Sequence, residues 1–224
     1  MRNISIAIDG PAAAGKSTIA QMVAKKINFT YIDTGAMYRA VTYYCLIHNI
    51  DCQNEKEVEK ILDGIEVELG KDHTVFLNKE NVTNLIRSPL VNDNVSYIAS
   101  YKNVRLFLVE QQRKMSKNTS VVMDGRDIGS YVLPNADVKI FQIANVETRA
   151  KRRYLENVEK KIDCSYESVL SELKKRDYID SHRDFAPLKK ADDAIELDTS
   201  NMTIEEVVNE VLKIINKKVG ETNE

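Results

Sequence analysis

The sequence predicts an α/β fold: a parallel sheet with helices on both faces. Three observations predict it. Short apolar runs alternate with segments of helical period along most of the chain. These runs are continuously apolar, as strands covered on both faces are. Parallel neighbours also need crossover connections, and the intervening helical segments are long enough to be those crossovers.

Residues 4–8 (ISIAI) form the first apolar run, followed by Asp9, Gly10 and Pro11 and then an alanine-rich helical stretch. Residues 29–32 give a second strand, which leads through Asp33, Thr34 and Gly35 into a helix over 36–47. A helix-like segment at 55–62 precedes 65–69 (IEVEL) and 74–77 (TVFL), where alternation replaces helical period and predicts a small antiparallel meander. The pattern is helical from 91 to 117, and 120–123 (SVVM) is a third strand ending in Asp124, Gly125, Arg126 and Asp127. Residues 138–143 are a fourth strand, followed by a very basic helix at 146–161 and another helix at 166–180. A fifth strand at 194–197 and a helix at 203–217 close the chain, with Thr203 and Glu206 at capping-box spacing and a tail after Lys218 expected to fray. With 224 residues the chain is expected to be a single domain, 1–224, carrying an inserted subdomain at about 58–91.

Lysine plus arginine number 32 and aspartate plus glutamate 34, a net charge of −2, so no overall field recruits nucleic acid or an acidic membrane. Three scattered cysteines, Cys45, Cys52 and Cys164, argue against a disulfide framework or a structural zinc site. The apolar stretch that ends at Asp9 is too short for a signal segment or a membrane span, which predicts a cytoplasmic protein.

Gly10, Pro11, Ala12, Ala13, Ala14, Gly15, Lys16 and Ser17 fit G-x-x-x-x-G-K-[ST], between a strand and a helix as a phosphate-binding loop requires. Glycines at both ends let the backbone turn its N–H groups inward, and the helix N-terminus adds positive potential. Residues 10–18, Thr18 included, are thus the candidate nucleoside triphosphate site, with Lys16 reaching the terminal phosphates and Ser17 ligating magnesium. Ligands of an open parallel sheet bind beyond the carboxyl ends of its strands. Asp33 and Asp124 are placed there to hold magnesium through water, or equally to cap a helix or turn. Arg149, Arg152 and Arg153 share one helix face, and Arg176, Asp180 and Arg183 share another. Such faces are often merely solvated, with Glu147, Glu156 and Glu159 as partners, but a nucleotide site needs fixed arginine charge.

Five stretches, IDGPAAAGKST, IDTGAMYRA (32–40), VMDGRDIG (122–129), ETRAKRR (147–153) and KRDYIDSHRDFAPL (175–188), together resemble the bacterial cytidylate kinases. The resemblance implies a P-loop nucleoside monophosphate kinase fold with a five-stranded parallel core, an enlarged acceptor region and a short lid at about 149–183. It implies transfer of the γ-phosphoryl group of ATP to CMP or dCMP with Mg²⁺ as cofactor. The charge balance argues against nucleic acid or membrane partners, and a sequence without coiled-coil heptads or a long exposed apolar run predicts a monomer. By position, Thr34, Arg39, Arg126 and Arg183 would hold the CMP phosphate, Arg176 and Asp180 the ribose, and Ser96, Arg105 and Asp127 the cytosine. Lys16, Arg126, Arg149, Arg152, Arg153 and Arg183 would be the catalytic cations. Ile179 and Ser181 depart from relatives that carry extra arginines in that stretch. A kinase for UMP or AMP is the enzymatic alternative. A GTP-hydrolysing switch is the alternative from another class, although the N-K-x-D guanine motif is absent.

Overall fold

The structure, a computed structural model, describes residues 2–221. Its main sheet has five parallel strands, β1 (Ser5–Asp9), β2 (Thr30–Asp33), β6 (Val121–Gly125), β7 (Val138–Ile143) and β8 (Ile195–Asp198), in the order β2-β6-β1-β7-β8. Alternation along β1 sends Ile6 and Ile8 to one face and Ala7 to the other. Ile6 and Ile8 join a buried cluster with Ile19 and Val23 of α1 (Lys16–Ile27) and Val207 and Val211 of α8 (Ile204–Glu221). Ala7 packs on the opposite face with Ile32, Met123 and Val109, the last on α5 (Lys102–Ser116). Each fully buried isoleucine contributes roughly 1.5–3 kcal/mol, which anchors β1 as the central strand.

The strands end later than the apolar pattern predicts. β1, β2 and β6 continue through Asp9, Asp33 and Asp124, because ladder hydrogen bonds use the backbone whatever the side chain. Asp33 pairs in register with Asp124, and Asp9 with Gly125, so the acidic tips are fixed by the sheet itself.

The meander is observed as a three-stranded antiparallel sheet, β3 (Val67–Leu69), β4 (Val75–Leu77) and β5 (Glu80–Asn81). Before it comes α3 (Glu55–Lys60), and its inner residues Val67, Val75 and Leu77 pack with Met37, Val41 and Cys45 of α2 (Thr34–Ile47).

The single helix expected at 91–117 is two: α4 (Pro89–Ile98) and α5. Ser88 caps α4 with Pro89 in its first turn, and at its end the Ser100 hydroxyl donates to the Tyr97 carbonyl at 2.6 Å. Such local bonding competes with helix continuation, while the apolar period runs unbroken across both pieces. Helices α6 (Val146–Glu159) and α7 (Tyr166–His182) lie where basic and arginine-bearing helices were expected. Helix α8 runs on to Glu221, past the point where fraying was expected, and residues 222–224 lie outside the described residues. Among the described residues no helix is long and apolar enough to cross a membrane.

Candidate active site

A crevice of about 570 Å³ opens at the carboxyl ends of the strands, within the usual size of a ligand site. The phosphate-binding loop forms one side. Gly10 has φ +150°, and a Cβ there would lie 2.0 Å from the Gln142 carbonyl oxygen, so only glycine lets the loop pass β7. Gly15 has φ +89°, and Gln142 Nε2 donates to the Ala14 carbonyl at 2.6 Å to fix the loop's other half. Lys16 is buried and donates to the Pro11 carbonyl at 2.7 Å. Burial, then the neighbouring Arg126, lowers its pKa, while Asp124 and Asp9 oppose that shift.

Ser17 donates to Asp124 Oδ2 at 2.8 Å, and the Tyr31 hydroxyl donates to Asp124 Oδ1 at 2.8 Å. Burial raises the Asp124 pKa to about 6, and the in-register Asp33 adds to the rise. Asp33 does cap a helix: Oδ1 accepts from the Ala36 amide at 2.9 Å, while Oδ2 accepts from Arg87 at 2.7 Å. A hydroxyl and two carboxylates form the hard-oxygen set that suits Mg²⁺ held partly through water and phosphate. Among the described residues no group of three or more His, Cys, Asp or Glu side chains could hold a metal ion by themselves.

The opposite end of the crevice is built from paired charges. Asp127 accepts from Arg105 at 2.5 Å and from Arg183 at 3.5 Å, and all three side chains are buried. The break between α4 and α5 exposes the Ala99 carbonyl, which accepts from Arg105 at 2.9 Å and from Arg183 at 3.4 Å. Asp180 accepts from Arg126 at 2.8 Å and lies 4.0 Å from Arg176. Burial raises the Asp180 pKa, but Arg126, Arg176 and Arg183 outweigh it and hold the carboxyl below its usual range. Burial and the facing Arg126 lower Arg176 to about 10. The Nε atoms of Arg105 and Arg176 are buried without hydrogen-bond partners, an arrangement that suits acceptor oxygens arriving with a ligand. Between the two ends, Thr34 donates to the Asp124 carbonyl at 2.6 Å and Arg39 hydrogen-bonds Asn92.

Residues 12–18, Asp33, Thr34, Arg39, Arg105, Asp124, Arg126, Asp127, Arg152, Arg153, Arg176, Asp180 and Arg183 all line this one crevice. Gly10, Pro11, Ser96 and Arg149 are not among its lining residues. Gly10 lies behind the loop against β7, and Ser96 is buried in α4, where Val95 and Ala99 line the crevice instead. Arg149 is buried and donates to the Ala144 and Ala12 carbonyls and to Asp177. Residue patterns pointed to none of Asp9, Tyr31, Arg87, Gln142 or Asp177. Asp177 lies one residue from Arg176, and Arg87 ends a short 3₁₀ turn, Leu85–Arg87, that carries no motif.

A family model described as cytidylate kinase matches residues 6–217. The chain belongs to the cytidylate kinase family. It is 56% identical over 217 residues to the cytidylate kinase of Fusobacterium nucleatum, covering 97% of this chain and 99% of that one. It is 54% identical over 216 residues to the cytidylate kinase of Clostridioides difficile, covering 96% and 100%. Among solved structures, an uncharacterized protein from Eubacterium ventriosum aligns with a TM-score of 0.52 at 15% identity, over 96% of this chain and 99% of that one. That last likeness is one of fold alone. Cytidylate kinase membership agrees with a crevice that has a phosphate-binding loop at one end and a carboxylate held by two arginines at the other.

Proposed function

We propose that the protein transfers the γ-phosphoryl group of ATP to CMP or dCMP, giving ADP and CDP or dCDP. The observation that carries this reading is Asp127, held by Arg105 and Arg183 across the crevice from Lys16. Cytosine presents an amino donor at N4, which the Asp127 carboxylate accepts, and acceptors at N3 and O2, which Arg105 can bridge. Uracil has a carbonyl at that position and would face the carboxylate unfavourably, and unpaired buried polar groups discriminate strongly.

In this reading Thr34, Arg39, Arg126 and Arg183 hold the CMP phosphate, and Arg176 and Asp180 hold the ribose. Ser96 supports the base from α4. Phosphoryl transfer leaves the protein the tasks of alignment and charge neutralisation. The inward amides of the phosphate-binding loop and the Lys16 ammonium hold the donor phosphates in line with the acceptor oxygen. Arg126, Arg152, Arg153 and Arg183 surround the moving group, and no covalent intermediate forms. Ser17, with Asp33 and Asp124 through water, would hold Mg²⁺, which when bound neutralises charge on the donor oxygens. Residues 58–91 serve as the acceptor subdomain and 149–183 as the lid. The protein acts as a monomer in the cytoplasm, in keeping with a sequence without coiled-coil heptads.

A coupled ADP-release assay with CMP, dCMP, UMP and AMP tests the reading. CMP and dCMP are expected to turn over best, EDTA to abolish transfer, and Lys16→Met to lower kcat by about 100-fold or more. Faster turnover of AMP or UMP than of CMP would overturn the assignment of Asp127.

A further inference from the structure

Asp9 takes no part in gripping phosphate, yet it is the last residue of β1 and one peptide unit from Gly10. Its buried carboxylate uses both oxygens on backbone. Oδ1 accepts from the Ile128 amide at 2.8 Å and Oδ2 from the Gly129 amide at 2.7 Å. These amides open a five-residue π-helical turn, Ile128–Val132, that begins directly after Asp127.

The first amides of a helical turn have no partner within the turn, and the residue just before it, when an aspartate, is a strongly preferred cap. Asp127 occupies that capping position, with φ −146° and ψ 24°, but its side chain makes no capping bond. It points instead to Arg105 and Arg183. A carboxylate cannot both fold back onto its own turn and face the crevice. The cap therefore comes from a different strand.

We infer that Asp9 is the specificity-positioning residue of the acceptor site: by capping the Ile128–Val132 turn from the end of β1, it frees the Asp127 carboxylate to read the acceptor base. This rests on the cytosine-reading role given to Asp127 above. Asp9 makes its hydrogen bonds to the turn and not to the crevice, so its effect on the acceptor base passes through Asp127.

Asp9→Asn keeps the size of the side chain but offers only one acceptor oxygen, so an amide loses its cap and Asp127 is drawn back towards its own turn. KM and kcat for CMP, UMP and MgATP are measured in wild type, Asp9→Asn, Asp127→Asn and the double variant. Asp9→Asn is expected to raise the CMP KM and lower the CMP-over-UMP preference by about tenfold each, with the MgATP KM within about twofold. The double variant is expected to be no worse for CMP than Asp127→Asn, because both changes act through one side chain. Equal increases in the CMP and MgATP KM with unchanged preference, or additive losses, would overturn the inference. Amide hydrogen exchange without nucleotide reads the cap directly, whatever the acceptor proves to be and even if Asp9→Asn fails to fold. Protection at Ile128 and Gly129 is expected to survive Asp127→Asn, and its loss there would make Asp127 the cap and refute the role of Asp9.

Discussion

Arg149 donates to Asp177 at 2.7 Å, and between them they hold both polar groups of one loop residue. The Ala12 amide donates to Asp177 at 3.3 Å, and the Ala12 carbonyl accepts from Arg149 at 3.1 Å. Helices α6 and α7 thus meet on the phosphate-binding loop, and Arg149 braces that loop from behind.

Replacing Arg149 by methionine leaves Asp177 without its counter-ion beside the loop. The expected loss of stability is about 3 kcal/mol, the low end for a broken buried pair, since Asp177 keeps partial solvent contact. The MgATP KM is expected to rise about tenfold, with the CMP KM changed less. Urea denaturation and steady-state kinetics check both, and an unchanged MgATP KM would restore Arg149 to a purely structural part of α6.

Asp127→Asn places an amide where, in the proposed function, a carboxylate accepts the cytosine amino group. A loss of about 100-fold in kcat/KM for CMP is expected, with the MgATP KM nearly constant. The four-acceptor ADP-release assay measures it, and comparable losses for both substrates would contradict a base-reading role.

Gly10 and Gly15 both have positive φ, but they differ in room. A Cβ on Gly10 meets the Gln142 backbone at 2.0 Å, whereas on Gly15 its nearest neighbour is the Gln142 side chain at 3.7 Å. Gly10→Ala is expected to push the loop off β7 and abolish ATP binding. Gly15→Ala is expected to cost about 1–2 kcal/mol of backbone strain and leave measurable binding. Calorimetric titration with MgATP separates the two.

Most of the architecture was legible in apolar runs and their order, since the strands of a sheet covered on both faces read as continuous hydrophobic segments. Their ends were not: charge at Asp9, Asp33 and Asp124 masks the last ladder positions, which backbone bonds alone hold. The division at Ala99 was hidden because the apolar stripe runs on across it. Residues matching a motif were found, and most line the crevice. Arg87, Asp177 and Tyr31 were not, because each acts through a partner distant in sequence, Asp33, Arg149 and Asp124 respectively.

Burial raises the pKa of Asp9 from 3.8 to about 7; the Ile128 and Gly129 amides and the Lys16 charge oppose the shift, and Asp127 adds to it. The folded state therefore binds this proton at higher pH than the unfolded chain. Its contribution is complete below the unfolded value and is lost as pH rises through about 7. The stability of wild type relative to Asp9→Asn is expected to fall between about pH 4 and pH 7 and to level off above. Paired urea titrations across that range measure the difference, and a flat difference would refute the shift.

Asp9 and Gly10 are consecutive, and they face different loops: one secures the turn after Asp127, the other the loop before Lys16. Their Cα atoms are about 3.8 Å apart, as in any trans peptide. A change on β1 meant to redirect this enzyme to another nucleobase must therefore stop at Asp9 and spare Gly10, where any side chain would push the phosphate-binding loop off β7. A second route is the α4–α5 junction, where Ala99 offers its carbonyl to Arg105 and Arg183 and no phosphate-loop residue takes part.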